Sequence, residues 1–368
     1  MSDPTNPPPL KEWFDDARFR EIAAHLSEVS PQFSRLRFLD VALDGLAGRS
    51  LMQRMHQCAV AVETALPGTY RQKLPPLRQL APRLDHEFVA IFLSDFVASY
   101  GLDDFDHSLE ALRFFTVFGS AEFAVRPFLV ADQARTLAAM HQWTRDPHEK
   151  VRRLASEGSR PRLPWGLRLA SLVRDPTPTR GILEALKEDS SASVRRSVAN
   201  HLNDITKDHP GIVLAQLAGW DLERTHLQSI ARHSCRTLIK RGHPEALRLF
   251  GFGRRPEIVA TLRAIPGNLW LGDRLSLQAS LKSTSARRQR LAVDYIVHYV
   301  KSGGTTSEKV FKWSEVALPP GETLELAKSQ VIRDFTTRRH YAGRHRVELQ
   351  VNGIRLAVTA FQLHSRSA

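Results

Sequence analysis

The feature that most constrains this chain is an internal echo. Arg145 to Ala155 (R-D-P-H-E-K-V-R-R-L-A) resembles Glu188 to Ala199 (E-D-S-S-A-S-V-R-R-S-V-A). Val151-Arg152-Arg153 and Val194-Arg195-Arg196 stand 43 residues apart, as do Asp146 and Asp189. A period of about 40 to 47 residues is that of HEAT and armadillo units, each a helix pair that cannot bury its apolar face alone. A weaker third unit follows, in which Ile230 to Pro244 echoes the N-D-I-T-K-D-H-P run ending at Pro210. The expectation is an α-solenoid with a concave face lined by one helix of each pair.

From Trp13 to about Pro256 the apolar spacing is helical, interrupted by short Pro, Gly and Asp punctuation. Leu39 to Leu46, Leu51 to Leu66, His86 to Tyr100 and Asp106 to Phe118 read as helices, the third apolar on most sides. After Pro256 the period changes to two. Leu275 to Leu281, Leu291 to Val300, Val310 to Val316, Thr323 to Lys328 and Arg346 to Val358 alternate, and Asn352-Gly353 inside the last run marks a hairpin. The chain is therefore expected to be mainly α: a tail at 1–12, a HEAT-like solenoid at 13–260 and an all-β immunoglobulin-like sandwich at 264–368. The sandwich lacks the cysteine pair of antibody-type domains.

The formal net charge is +13, which points to a polyanionic partner, nucleic acid or an anionic surface. Residues 264–368 hold 16 Lys+Arg against 8 Asp+Glu, whereas residues 1–100 hold 11 against 12. The basic residues of the β-domain cluster toward Arg333, Arg338, Arg339, Arg344 and Arg346. Cys58 and Cys235 are the only cysteines, so neither a disulfide framework nor a cysteine-type zinc site is indicated. The fifteen histidines show no metal-binding spacing and no phosphate-cradling glycine loop occurs; no cofactor or metal is expected. The N-terminus lacks a signal-peptide pattern and no apolar run approaches the ~20 residues of a membrane span. A cytoplasmic, monomeric protein is expected.

The stretch from Val151 to Trp165 (V-R-R-L-A-S-E-G-S-R-P-R-L-P-W) carries the richest chemistry. A helix running to Gly158 gives way to a proline-broken loop with Arg160, Arg162 and Trp165. Arg152 and Arg195 are expected to pair structurally with Asp146 and Asp189. Arg153 and Arg196 are freer. Glu122 is expected in the first turn of a helix started by Gly119 or Ser120. Asp204 has a salt bridge with Lys207 within reach.

Taken together, S-A-E-F-A-V-R-P-F (Ser120 to Phe128), the Val151 to Trp165 stretch and V-R-R-S-V-A-N-H-L-N-D (Val194 to Asp204) resemble the AlkC branch of the AlkC/AlkD HEAT-like-repeat DNA alkylation-repair glycosylases. The resemblance covers most of residues 10 to 260, and the β-domain looks like the immunoglobulin-like domain of many members. It implies hydrolytic excision of cationic N3-alkylated bases, 3-methyladenine and 3-methylcytosine, from double-stranded DNA without turning the base into a pocket, a departure from the usual scheme. Glu122, Glu157, Asp204 and Trp165 would then carry catalysis. Charge and position assign Arg153, Arg160, Arg162, Arg196, Arg338 and Arg339 to DNA. The competing reading is a non-enzymatic DNA-binding or scaffold protein that keeps these motifs for structure.

Overall fold

A computed structural model describes residues 10–253, 255–335 and 339–364. The helices begin with α1 (Asp16–Val29), α2 (Arg35–Leu43), α3 (Leu51–Ala65), α4 (Tyr70–Leu80), α5 (Glu87–Tyr100) and α6 (Phe105–Phe115). Then come α7 (Arg126–Ala131), α8 (Gln133–Trp143), α9 (Glu149–Gly158), α10 (Ala170–Arg174), α11 (Arg180–Leu186) and α12 (Ala192–Ile205). Short helices follow: α13 (Pro210–Ala218), α14 (Thr225–Ser234), α15 (Arg236–Lys240) and α16 (Pro244–Leu249). No helix among the described residues is long and apolar enough to cross a membrane.

The repeat seen in the sequence is a repeat of structure. His148 and Ser191, 43 residues apart, are the N-caps of α9 and α12, and each side chain accepts the N–H two residues on. The helices stack through apolar faces, Val151, Leu154 and Ala155 on α9 and Val194, Val198, Ala199 and Leu202 on α12, all buried. Burial of each large aliphatic side chain contributes about 1.5–3 kcal/mol. Earlier in the chain the core is aromatic, with Phe19, Phe38, Phe92, Phe96, Phe115 and Phe128 fully enclosed. The helix at 87–100 is buried on nearly every side, as its composition requires.

The arginine ladder runs in a different register from the expected one. Arg152 gives the backbone carbonyls of Asp146 and Pro147 a donor, at 2.9 and 3.0 Å, but its ion pair is with Asp189 of the following unit, at 2.6 Å. The Asp146 carboxylate pairs instead with Arg113 of the preceding unit. Arg195 again donates to loop carbonyls, those of Asp189 and Ser190. The reason is local: one oxygen of Asp146 and of Asp189 turns back to accept the N–H two residues on, from His148 and Ser191 at 2.8 Å. That turn aims the other oxygen at the preceding unit.

The strands are β1 (Ile258–Ile265), β2 (Asn268–Trp270), β3 (Arg274–Ser283), β4 (Gln289–Val300), β5 (Thr306–Leu318), β6 (Thr323–Val331), β7 (Gly343–Val351) and β8 (Ile354–His364). One sheet has the order β1-β3-β6 and the other β2-β8-β7-β4-β5. All neighbouring pairs are antiparallel except β2 with β8. Leu275, Leu277 and Leu281 face Val293, Tyr295, Val297, Val347 and Leu349 within one apolar cluster. β1 begins ahead of the residue-264 start expected for this domain; it is a largely exposed strand, with only Leu262 buried, that follows directly on the arginine and proline punctuation before it.

Asn352-Gly353 forms the β7–β8 turn, with φ of 48° and 78°, the pairing of left-handed residues a two-residue hairpin demands. Gly353 also meets Gly242, the turn after α15: a Cβ on either would lie 2.6 Å from the other's Cα. Chain contacts accordingly divide the molecule into Met1–Asp208 with Leu222–Ile230, and His209–Asp221 with Ala231–Ala368. The helices α15 and α16 thus belong with the sandwich, where Gln350 of β7 donates to the Lys240 carbonyl, and β4, the strand between β7 and β5, is buried at nine successive positions instead of alternating.

Candidate active site

Three carboxylates from successive helical units are joined in one row by two arginines. Arg153, one-third exposed on α9, places NH1 2.9 Å from Glu122 and NH2 3.8 Å from Glu157. Arg160, buried just past the end of α9, donates from NH1 to Glu157 at 2.6 Å and from Nε to Asp204 on α12 at 2.8 Å. Lys207 closes the row on the second Asp204 oxygen at 2.8 Å. Ser197 donates to the remaining Glu157 oxygen at 2.6 Å. Glu157 and Asp204 are buried, so each is oriented by two donors and neither is left as an uncompensated charge. Three acidic and three basic groups make the row formally neutral.

Each member is placed by its local sequence. Glu122 lies in a turn, not in a helix's first turn as expected, because α7 starts only at Arg126, with Pro127 where its missing N–H costs nothing. Ser120 holds that turn, accepting the Glu122 N–H at 3.4 Å and donating to its carboxylate at 2.8 Å. Glu157 sits in the last turn of α9. Asp204 sits in the last turn of α12, in the following repeat unit.

Burial works against the charge of Arg160, but hydrogen bonding to Asp204 and the Glu157 charge outweigh it and raise its affinity for the proton. It is fixed as a cation between two carboxylates, with its Nε and one terminal nitrogen already engaged. Arg162 is similarly occupied, in a two-bond pair with Asp208 at 2.9 and 2.8 Å. Arg196 and Arg339 are exposed, and Arg338 lies outside the described residues. Next to the row, burial drives the His201 imidazole down to about 4; its Nδ1 faces the Ser156 carbonyl at 2.9 Å. It is a neutral packing element between α9 and α12.

Trp165 is 77% exposed and holds a left-handed backbone, φ 63°. For a bulky residue this conformation costs on the order of 1–3 kcal/mol, so the loop must over-determine it. The residue that does so was not singled out in the sequence. Arg126, fully buried, donates from NH1 to the Gly158 and Arg160 carbonyls at 2.8 and 2.9 Å and from Nε to the Leu167 carbonyl at 2.5 Å. Burial and then the neighbouring Arg160 pull it down to about 10. Its only sequence signal is its place in A-V-R-P-F, where a buried and a solvated arginine look alike.

The second compact unit holds a different basic feature. A cavity of about 660 Å³ between the α16 end and the β3–β4 loop is lined by Arg248, Arg255, Arg287, Arg288 and Arg290, with Glu257 as its one acid. Arg290 stacks over Phe252 at 5.0 Å, which fixes its plane and leaves its edge open. This cluster stands earlier in the chain than the Arg333 to Arg346 stretch expected to suit phosphates, where Arg346 is paired with Glu348. Among the described residues no group of three His, Cys, Asp or Glu is arranged to hold a metal.

Fold and site together define a helical-repeat protein with a C-terminal immunoglobulin-like sandwich and an arginine-bridged carboxylate row in the helical part. A family model for the C-terminal Ig-like domain of the uncharacterised protein YhaZ matches residues 258–365. YhaZ of Bacillus subtilis (strain 168), itself uncharacterised, is 38% identical over 346 residues, 94% of this chain and 96% of that protein. The structure of Pseudomonas fluorescens alkylpurine DNA glycosylase AlkC, bound to DNA containing an abasic site analog, matches with a TM-score of 0.93 and 49% identity. That match covers 97% of this chain and all of the other. The chain belongs to the AlkC family.

Proposed function

We propose that this protein is a DNA-repair glycosylase that hydrolyses the N-glycosidic bond of cationic N3-alkylated bases, 3-methyladenine and 3-methylcytosine, in double-stranded DNA. The observation that carries the reading is the row Glu122–Arg153–Glu157–Arg160–Asp204, with Trp165 exposed on the adjoining loop. Its likeness to the Pseudomonas enzyme supports the DNA partner and the glycosylase class.

An N3-alkylated base leaves with the bonding electron pair and becomes neutral, so no general acid is required. Positive charge instead develops on the deoxyribose, where a pre-oriented carboxylate stabilises it without reorganisation. Glu157 and Glu122 face that cation. Asp204 orients the water whose oxygen attacks C1′ and accepts its proton, leaving an abasic site and an intact strand. Trp165 lays its π face on the cationic lesion or the sugar, a contact that does not require the base to leave the duplex.

Arg153 contacts phosphate from the rim of the row, while Arg196, Arg339 and the arginine-lined cavity add phosphate contacts elsewhere. Arg160 acts inside the row, setting the spacing of Glu157 and Asp204. The enzyme works as a monomer in the cytoplasm, at the nucleoid.

The test is chromatography of the bases released from methylated duplex DNA by the full chain in a chelator. Free 3-methyladenine and 3-methylcytosine with unbroken strands are expected. Binding without any base release would leave the scaffold reading standing.

A further inference from the structure

Among the described residues Arg126 is the largest side chain fully enclosed, and its hydrogen bonds go to backbone carbonyls and to no carboxylate. Enclosing a guanidinium without a directly bonded acid is costly, and one of its NH2 groups has no partner at all. A neutral donor could satisfy any one of the three carbonyls it meets. What only a guanidinium fork can do is meet carbonyls on both sides of one loop at once: Gly158 and Arg160 at its start, Leu167 at its end. Between those ties stand Pro161, Arg162, Leu163, Pro164, the left-handed Trp165 and Gly166.

The neighbouring glycines are shaped to the same arrangement. A Cβ on Gly158 would lie 2.6 Å from Val125 Cγ1, so the end of α9 approaches the α7 start only because glycine stands there. A Cβ on Gly166 would lie 3.3 Å from the Arg126 Cδ and Nε, leaving the arginine stem no slack. Arg126 also follows Glu122 by four residues in the chain, so the turn that presents Glu122 runs into the fork that holds Arg160 and Trp165.

We infer that Arg126 is a positioning residue for this reaction: it ties the carbonyls at both ends of the 158–167 loop and so fixes Trp165 and Arg160 relative to Glu122 and Glu157. It touches neither DNA nor the reacting atoms. The inference rests on the proposed role of Trp165 and the carboxylates.

The test uses full-length protein carrying Arg126→Lys, which keeps the charge but cannot span the loop. Amide hydrogen exchange over 159–168 should accelerate, and kcat for base release should fall about 10- to 100-fold with KM within about threefold. In a double-mutant cycle with Trp165→Ala the losses in kcat should be clearly less than additive. Unchanged exchange over the loop, unchanged kcat, or additive losses would overturn the inference. If Arg126→Lys does not fold, Gly166→Ala, which crowds the same stem, is expected to give the same kcat loss and the same coupling. If Trp165→Ala and Glu157→Gln leave base release intact, the catalytic roles proposed for those two residues fail on those single variants. Faster exchange in Arg126→Lys would then leave the loop tie standing and remove its role in the reaction.

Discussion

The units built on α9 and α12 are the same scaffold used twice, and only one ends in an arginine-rich loop. Both open on a capped turn, both bury an apolar residue at the positions of Val151/Val194 and Ala155/Val198, and both place an arginine on the carbonyls of their own turn. They part at Gly158. There α9 stops, whereas α12 has His201 at the matching position and continues to Ile205. The backbone freed by the early stop becomes the loop of Arg160 and Trp165, and Glu157, in the last turn of α9, stands where α12 has Asn200. The lesson is how a repeat can present a polar loop by ending early: the helix supplies the rigid orientation and the missing turn supplies the reach the proposed site would use.

Removal of Arg160 should break this contrast most severely. Arg160→Met strips Glu157 and Asp204 of their shared cation, and breaking a buried pair of this kind costs about 3–5 kcal/mol. Urea unfolding of the full chain measures it; a cost below about 1 kcal/mol would mean that the row is not held by Arg160.

His201 gives the next effect. Its folded-state value of about 4 lies below the ordinary 6.5, so the unfolded chain binds more protons in between. Stability is therefore full above about pH 6.5 and is lost as the pH falls toward 4. The linkage relation gives a loss of about 2 kcal/mol at pH 5 relative to pH 7 from this group. Thermal melts of His201→Gln should lose that share of the pH dependence, and an unchanged acid slope would contradict the assignment.

The smallest effect compares the two scaffold arginines. Arg152→Ala should cost about 1 kcal/mol more than Arg195→Ala, because Arg152 also makes a direct ion pair with the Asp189 carboxylate of the following unit. Equal costs would mean that the loop carbonyls alone matter.

Much of this was legible in the sequence because it is periodic. The 43-residue offset, the alternating strands and Asn352-Gly353 are local patterns whose physics needs no partner. The ladder was legible as a pairing but not in register, since the direction of an aspartate depends on which turn N–H it also accepts. The row was legible only in part. Glu157 and Asp204 can be named from the repeat and the resemblance, but the burial of Arg160 between them is a tertiary fact, and so is the pairing of Arg162 with Asp208. Arg126 left no pattern at all, because three carbonyl partners on a loop more than thirty residues away have no signature in one chain.

The central claim is that the buried carboxylates of the row act on the sugar cation. The direct measurement is the single-turnover rate of base release from methylated duplex DNA by wild type, Glu157→Gln and Asp204→Asn, with melting curves for each. Losses of about 10²–10³-fold are expected in both variants, with DNA affinity nearly unchanged. Wild-type rates from folded Glu157→Gln and Asp204→Asn would contradict it.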